Sequence, residues 1–360
     1  MKAVAHISAM APYALANLDA PAGKRVVSLS QNESLRPPSA AVTEAIKSAA
    51  ATPHLYPDPD WSGLRRAIAD QHGLDPALIL CGNGSLDLIA VLARAYLDQT
   101  TAALAPAHAY PFFKTATLMS GARFDTASED KSGVDVSALL AAAAPDTRIV
   151  FLANPGNPTG TRISRADLLR LRDGLRGDIL LVIDEAYGEF ADHVDDPMFD
   201  LVARGNTLVL RTFSKAYGLA GMRVGWGYVP QTILTEMRKV MNPNNVALTG
   251  QVAAVAAITD QTYMHDTCAE TAGIRDRFIA RMRKAGLDAS DSFTNFALLR
   301  FETVRLATRV DQALRAEGVF LRAQAGAGLP HSLRATVGVA DDMDLAARLI
   351  ETALQKEVDR

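Results

Sequence analysis

Six short apolar runs, each closed by turn-forming or polar residues, constrain the fold of this 360-residue chain most strongly. They have four to six residues each and lie at 77–81, 102–105, 148–153, 179–183, 207–211 and 224–229. Runs of this length without polar alternation are typical of strands buried on both faces, as in a parallel sheet covered by helices. Helical segments, beginning with 40–51 and 61–72, alternate with strand-like ones. The pattern therefore predicts an α/β fold with a largely parallel sheet.

The pattern changes after a predicted helix at 230–241. Later apolar segments at 297–301, 319–322 and 332–338 alternate with helices at 303–317 and 341–356, which predicts a smaller α+β domain. The first 30 or so residues and the turn-rich stretch that follows them form an irregular arm. We predict three parts: an N-terminal arm (1–40), a large domain (41–245) and a small C-terminal domain (246–360) that part of the arm joins.

Charge and composition disfavour several classes of protein. The net charge of −3 offers no electrostatic surface for nucleic acid or an anionic membrane. The longest apolar tract, 246–258, is interrupted and too short to span a bilayer, and the chain start lacks the apolar stretch of a signal peptide. Two distant cysteines indicate a reducing compartment, and seven scattered histidines predict no metal site. We expect a cytoplasmic protein.

Polar residues follow four of the six runs directly. Ligands of open α/β sheets bind beyond the carboxyl ends of the strands, so these residues are the first candidates for a site. The four ends supply a glycine-rich turn that opens an amphipathic helix, an amide, a carboxylate with a phenol, and an amine. The residues are, in that order, Gly84 and Ser85, Asn157, Asp184 and Tyr187, and Lys215.

Pyridoxal phosphate is one ligand that needs all of these groups. Its aldehyde requires a lysine amine, which a desolvated, cation-bearing site makes more nucleophilic, so Lys215 is the candidate. Its ring nitrogen needs a carboxylate in order to stay protonated. An Asp184 carboxylate about 4 Å from the ring nitrogen would stabilise its protonated form by roughly 4 kcal/mol. This raises the pKa of the ring nitrogen by about three units. Tyr187 and Asn157 are candidates for hydrogen bonds to the ring oxygen.

A second group of residues is predicted to hold the phosphate and the ring face. Free N–H groups at the helix start, Gly84 and Ser85, suit an anion. Arg223 can add a charge-assisted contact, and Thr212 a hydroxyl group. Tyr110, which follows the second run, is predicted to stack on the ring.

Other interpretations stay open at this point. LLVIDEAY resembles the Walker B strand of an ATPase, but the matching phosphate loop is missing, since the only Gly–Lys pair, Gly23–Lys24, precedes Arg25. CGNGSLD resembles half of a dinucleotide fingerprint, with Asp87 at the third glycine position. Taken singly, each candidate residue also has a plain structural interpretation. Their joint occurrence, in order and each at a strand end, favours pyridoxal phosphate.

The chain resembles fold-type I pyridoxal-phosphate enzymes, and in particular the histidinol-phosphate aminotransferase branch of the class I/II aminotransferases. The resemblance runs from about residue 28 to 350 and implies a mostly parallel sheet of seven-stranded type between helices, a smaller α+β domain, and a homodimer with shared active sites. The motifs that carry it are LYPDPDWSGLRRAIA, CGNGSLDLI, AYPFFK, NPGNPTG, VIDEAYGEF and RTFSKAYGLAGMRVGW.

The resemblance also implies roles for further residues. Tyr56 would reach the cofactor phosphate of the neighbouring subunit, and Ser214 would add a hydroxyl group on the phosphate side. Arg334, in SLRATVG, would bind the substrate carboxylate with help from Arg322. The cofactor roles given above fall on the same residues in the family: Tyr110, Asn157, Asp184, Tyr187, Thr212, Lys215 and Arg223.

One segment departs from the branch, which usually reads close to NENPxGP where this chain has NESLRPP at 32–38. The segment borders the substrate pocket, and Asn32 and Tyr13 are predicted substrate contacts. The predicted function is ping-pong transfer of an amino group from a donor such as glutamate to a 2-oxo acid or imidazole-acetol phosphate. An aromatic aminotransferase and a decarboxylase of a phosphorylated amino acid remain alternatives, and an ATPase a distant one.

Overall fold

The structure, a computed structural model, describes residues 1–12, 18–130 and 133–358. The strands of these residues are β1 (Val27–Ser28), β2 (Ile79–Gly82), β3 (Ala102–Pro106), β4 (Arg123–Ala127), β5 (Glu129–Asp130), β6 (Gly133–Val134), β7 (Thr147–Ala153), β8 (Leu180–Asp184), β9 (Thr207–Thr212), β10 (Gly225–Tyr228), β11 (Asp288–Ala289), β12 (Phe296–Arg300), β13 (Val319–Phe320), β14 (Arg322–Gln324) and β15 (Leu329–Thr336). The helices are α1 (Ala5–Ser8), α2 (Ala40–Ala49), α3 (Ser62–His72), α4 (Ser85–Tyr96), α5 (Pro111–Met119), α6 (Val136–Ala142), α7 (Arg165–Gly174), α8 (Gln231–Val240), α9 (Leu248–Thr259), α10 (Gln261–Lys284), α11 (Val304–Ala316) and α12 (Ala340–Val358).

A seven-stranded sheet in the order β2-β10-β9-β8-β7-β3-β4 forms the centre of the fold. Its strands share one direction except β10, which pairs antiparallel with both β2 and β9. Every residue of β2, β3, β8 and β9 is buried, as expected of strands covered on both faces. The predicted α/β fold with a mostly parallel seven-stranded sheet is confirmed.

A smaller antiparallel sheet, in the order β11-β12-β15-β14, lies beside α10, α11 and α12. Its apolar residues and those of the three helices form a second core, which Val27 and Leu29 of the N-terminal arm also enter. The first core surrounds the large sheet and extends through Ile258 and Met264. These clusters support two packing units. The domain boundaries at 40 and 245 stay a prediction. Helix α9 follows residue 245 but packs with the first core.

The parallel strands bring their carboxyl ends to one edge of the large sheet. The turns after β2, β3, β7, β8 and β9 therefore meet there, and β14 and β15 of the second sheet face the same space. Within the described part of the chain, no helix combines the length and apolar character that crossing a membrane requires.

Candidate active site

A cavity of about 490 Å³ opens where these turns meet. It brings together most of the residues predicted from the sequence: Asn32, Ser85, Tyr110, Asn157, Asp184, Tyr187, Thr212, Ser214, Lys215, Arg223, Arg322 and Arg334. Gly84 lies beside it, next to Arg223. Tyr56 is 87% exposed and does not line the cavity of its own chain. Tyr13 lies outside the described residues.

Lys215 follows β9 and points its amine into the cavity. Nζ donates to the backbone oxygens of Asn32 at 3.0 Å and Gln31 at 3.4 Å. The protein groups around the amine desolvate it, and the charges of Arg334 and Arg223 repel its proton, which lowers the pKa of Lys215 to about 8. About a tenth of the amine is then neutral at pH 7, far more than for an ordinary lysine. Lys215 can therefore act as a nucleophile and as a proton carrier near neutral pH.

Asp184 is the last residue of β8 and is only 4% exposed. Its burial raises the pKa of the carboxyl group to about 7, although the N–H of Ala186 donates to Oδ1 at 3.2 Å and opposes that rise. A cation beside this carboxyl group would ionise it and be held in return. The position thus suits a protonated nitrogen of a bound ligand.

A group of cavity residues around Ser85 carries donors for an anion. Ser85 is the first residue of α4, whose N-terminal N–H groups point outward. The hydroxyl groups of Thr212 and Ser214 are hydrogen-bonded at 3.0 Å, and Arg223 Nη1 donates to Ser214 Oγ at 3.3 Å. Gly84 has a φ of +84°, and a Cβ at this position would overlap the Arg223 guanidinium. A side chain at this position would therefore be strained and would displace the Arg223 guanidinium.

Two arginines of the smaller sheet form a further wall. Arg322 of β14 and Arg334 of β15 stand opposite each other in the antiparallel register, and both reach the cavity. Arg334 Nη1 donates to Asn157 Oδ1 at 2.6 Å, and Nη2 donates to the Ser30 backbone oxygen at 2.9 Å. The Arg334 guanidinium lies 5.2 Å from the centroid of the Phe296 ring. These arginines, which come from the smaller sheet, can offer positive charge to a second anionic group.

Asn32 connects the arm to both sheets. Its Nδ2 donates to Tyr187 Oη at 2.7 Å, its Oδ1 accepts from Thr336 Oγ1 at 3.0 Å, and its backbone oxygen accepts from Lys215. Asn295 Nδ2 also donates to that backbone oxygen, at 3.1 Å. Both ends of the Asn32 amide thus have protein partners, and its predicted contact with a substrate stays a prediction.

Several side chains that line the cavity were not predicted from the sequence. The missed side chains are those of Ser30, Gln31, Glu33 and Gln324. They come from the arm and from the smaller sheet, where the family resemblance, and not the rule for strand ends, supplied the candidates. The NES segment was predicted to border the substrate pocket with Asn32 as a contact, but Glu33, which also lines the cavity, was not named.

The arrangement fits pyridoxal phosphate in size and in charge. The residues around Ser85 offer N–H groups, hydroxyl groups and a guanidinium to a phosphate, and the buried carboxyl group of Asp184 suits a ring nitrogen. Lys215, Tyr187, Asn157 and Tyr110 line the same cavity. No group of histidine, cysteine or acidic side chains suited to a metal ion occurs among the described residues.

Comparison with known proteins gives one consistent result. The family profile of the aminotransferases of class I and II matches residues 24–350. The chain is 40% identical over 315 residues to the histidinol-phosphate aminotransferase of Cereibacter sphaeroides, covering 88% of this chain and 87% of that protein. It is 41% identical over 313 residues to the one of Ruegeria pomeroyi, covering 87% of each.

A solved structure agrees with this result. Histidinol-phosphate aminotransferase from Sinorhizobium meliloti, crystallised in complex with pyridoxal-5′-phosphate, superposes with a TM-score of 0.87 at 30% identity. The superposition covers 91% of this chain and 90% of that one.

The large sheet, with a lysine after β9 and a carboxylate at the end of β8, defines the class of fold-type I pyridoxal-phosphate enzymes. Within that class, the chain belongs to the class I and II aminotransferase family. It is a pyridoxal-phosphate-dependent aminotransferase, which confirms the predicted resemblance, enzyme class and cofactor. The family assignment rules out the ATPase interpretation of LLVIDE.

Proposed function

We propose that this aminotransferase moves an amino group between glutamate and imidazole-acetol phosphate. Relatives that are 40–41% identical over nearly nine-tenths of the chain are named histidinol-phosphate aminotransferases, which supports this acceptor. The observation that carries the proposal is the cavity itself. It combines the amine of Lys215 and the carboxyl group of Asp184 with Arg223 and with two arginines of the smaller sheet, Arg322 and Arg334.

The residues of the cavity have distinct roles toward the cofactor in this proposal. Pyridoxal phosphate, when bound, supplies an aldehyde that accepts the amino group and a ring that accepts electron density. The Asp184 carboxylate would keep the ring nitrogen protonated, and Tyr187 and Asn157 would donate to the ring oxygen. Tyr110 would stack on the ring. The residues that would hold the phosphate are Gly84, Ser85, Thr212, Ser214 and Arg223.

Lys215 carries the proton transfer of the reaction. Its Nζ would remove the proton from the substrate Cα and return it to C4′, the aldehyde carbon of the cofactor, so the amine would serve first as a base and then as an acid. A pKa of about 8 suits both directions near neutral pH, because both protonation states are then accessible. In the cofactor-free chain the backbone oxygens of Gln31 and Asn32 hold the amine.

Arg334 and Arg322 bind the anionic group of either substrate. The planar guanidinium of Arg334, fixed by Asn157 and Ser30, suits the carboxylate of glutamate through paired charge-assisted hydrogen bonds. Arg322, which stands opposite in the register, adds charge for the phosphate of imidazole-acetol phosphate.

Replacement of Arg334 by methionine is expected to raise KM for glutamate by about 10- to 100-fold, the equivalent of losing hydrogen bonds to a charged group. Steady-state kinetics with glutamate as the varied substrate measures this effect. Arg300→Met is the matched control, because Arg300 lies on neighbouring β12, bonds Ser290 at 2.7 Å and does not line the cavity. An unchanged KM in Arg334→Met would remove this residue from the substrate site.

We also propose a cytoplasmic homodimer in which Tyr56 of one subunit reaches the phosphate of the other. Tyr56 and its neighbour Leu55 are 87% and 57% exposed, and both lie outside the cavity of their own chain, which supports a role across an interface. Cys81 and Cys268 are free thiols, which suits a reducing compartment.

Mixed dimers test the shared site. Lys215→Ala and Tyr56→Ala homodimers are each expected to have low activity, since every site in them carries the defect. Refolding the two variants together should restore activity, because one site of each mixed dimer receives both wild-type residues. A mixture no more active than its two components would contradict the shared site, and so would a fully active monomer in sedimentation analysis.

The acceptor is tested by a panel of amino donors with 2-oxoglutarate, measured as glutamate released. Histidinol phosphate should give the highest kcat/KM of the panel. A higher value for an aromatic amino acid would assign the chain to aromatic aminotransferases instead. Carbon dioxide release from a phosphorylated amino acid, without glutamate, would indicate a decarboxylase.

A further inference from the structure

The reverse face of the large sheet carries a buried ionic cluster directly behind the cavity. In the parallel register of β8 and β9, Asp184 stands beside Leu210. Successive side chains of a strand point to opposite faces, so Arg211 points away from the cavity that Thr212 lines. Glu185, whose backbone N–H donates to the Leu210 oxygen at 2.8 Å, lies on the same reverse face as Arg211.

Arg211 has no exposed surface and binds three carboxylates. Its Nε and Nη2 donate to Glu185 Oε2 at 3.0 and 2.8 Å. Its Nη1 and Nη2 donate to the two oxygens of Asp192 at 2.8 and 2.7 Å, and Nη1 lies 3.4 Å from Glu189 Oε1. The guanidinium also lies 5.3 Å from the centroid of the Phe199 ring. One side chain of β9 thereby fixes the segment 185–192 at three points.

This segment also carries two residues of the cavity. Asp184 immediately precedes it, and Tyr187 lies within it, with its ring edge-on to Phe296 at 5.3 Å between centroids. At Gly188 a Cβ would overlap the Arg211 guanidinium, so the segment wraps the arginine closely. Any change in the fit around Arg211 is therefore transmitted to the backbone that places Tyr187.

The charges of the cluster make the arginine difficult to replace. Three carboxyl groups surround one cation, and the Oε2 atom of buried Glu189 has no hydrogen-bond partner among the described residues. Burial raises the pKa of Glu189 to about 7, against the attraction of Arg211. Without the guanidinium, Glu185 and Glu189 would be buried acids without a counter-charge, and the segment would have to move or take up protons.

We propose that Arg211 is a positioning residue that sets the cofactor affinity of the cavity by holding segment 185–192 against β9. It does not line the cavity and acts through Glu185 and Asp192 on the placement of Asp184 and Tyr187. The inference rests on the cofactor site proposed above.

The chain contains a matched control at the amino ends of the same two strands, β8 and β9. Arg172 of α7 is 4% exposed and donates to the backbone oxygens of Ile179 at 2.8 Å and Asn206 at 3.1 Å, which precede β8 and β9. It makes two further bonds, to the oxygens of Leu175 and Arg176. Replacement of Arg172 also removes a buried guanidinium that makes several hydrogen bonds, but none of these bonds involves segment 185–192.

The experiment compares Arg211→Met, Arg211→Lys and Arg172→Met in two measurements. Thermal unfolding of the cofactor-free protein is expected to show a lower Tm for Arg211→Met and Arg172→Met. Equilibrium dialysis with pyridoxal phosphate is expected to show a Kd raised about 10- to 100-fold in Arg211→Met, by analogy with the outer partners of metal ligands. Arg211→Lys should give a smaller rise, since its single ammonium cannot bridge all three carboxylates. Arg172→Met should keep the wild-type Kd.

A Kd in Arg211→Met no higher than in Arg172→Met would overturn the inference and reduce Arg211 to a stabilising residue. If Arg211→Met does not fold, Asp192→Asn replaces it, because Asp192 is a third exposed and its loss leaves the arginine paired with two glutamates. Its Kd should rise, and a wild-type Kd would equally overturn the inference. Failure of the wild-type chain to bind pyridoxal phosphate would instead contradict the proposed function, so the two failures are distinguishable.

Discussion

Replacement of Lys215 by alanine is expected to lower kcat by about 10⁴-fold, at the upper end of what a positioned proton carrier contributes. The reason is that Lys215 is the lysine of the described cavity lining, and the backbone oxygens of Gln31 and Asn32 cannot substitute for an amine. The same substitution should abolish the visible absorbance of bound pyridoxal phosphate. Stopped-flow kinetics and absorbance spectra of the purified variant measure the two effects.

Lys114→Ala is the control for this substitution. Lys114 is exposed on α5, which begins directly after Tyr110. The substitution therefore removes a lysine that is near the cavity but does not line it. Its kcat and spectrum should match the wild type. A Lys215→Ala variant that retains more than a small fraction of wild-type turnover would contradict the role given to this amine.

Replacement of Asp184 by asparagine is expected to lower kcat by about 10³-fold. A carboxylate about 4 Å from a protonated ring nitrogen, at an effective dielectric constant near 20, contributes roughly 4 kcal/mol, and this converts to about three powers of ten in rate. Asparagine keeps the shape of the side chain and removes its charge. Turnover measured at saturating cofactor separates this effect from weaker cofactor binding, and Asp70→Asn, an exposed change on α3, is the control.

The same Asp184→Asn replacement, which lowers kcat, is expected to stabilise the cofactor-free protein. Burial raises the pKa of Asp184 from 3.8 to about 7, so the folded chain binds a proton there that the unfolded chain has lost. The contribution of this carboxyl group to the free energy of unfolding is favourable only in acid. It falls by at most roughly 4 kcal/mol as pH rises from about 4 to about 7. Asp184→Asn should therefore raise Tm at alkaline pH and leave it nearly unchanged near pH 4. An equal shift at both pH values would contradict this account of the buried carboxyl group.

The central sheet could be predicted because its strands are buried on both faces. The apolar runs at 148–153, 179–183 and 207–211 correspond to β7, β8 and β9 within one residue at each end. The edge strand β4 was missed, since Arg123, Asp125 and Thr126 are at least partly exposed and interrupt any apolar run. The direction of β10 could not be predicted from a run of apolar residues, because direction depends on the connections and not on composition.

The site was predictable where one residue follows one buried strand. Asp184 and Lys215 needed only the rule that ligands bind at the carboxyl ends of parallel strands. Contacts between the two cores were not predictable in this way. The bonds of Asn32 to Tyr187 and Thr336 join the arm and both sheets, so they depend on how distant segments pack. The Arg211 cluster was missed because its residues lie on the reverse face, which the sequence marks only as the interior of a strand.

A single-turnover experiment can follow the transfer of the amino group itself. Cofactor-loaded wild-type protein is mixed with histidinol phosphate in the absence of an acceptor, and its visible absorbance is followed. We expect the absorbance to be lost, and the addition of 2-oxoglutarate to restore it with release of one glutamate per active site. Unchanged absorbance with histidinol phosphate, or restoration without glutamate, would contradict the proposed amino transfer.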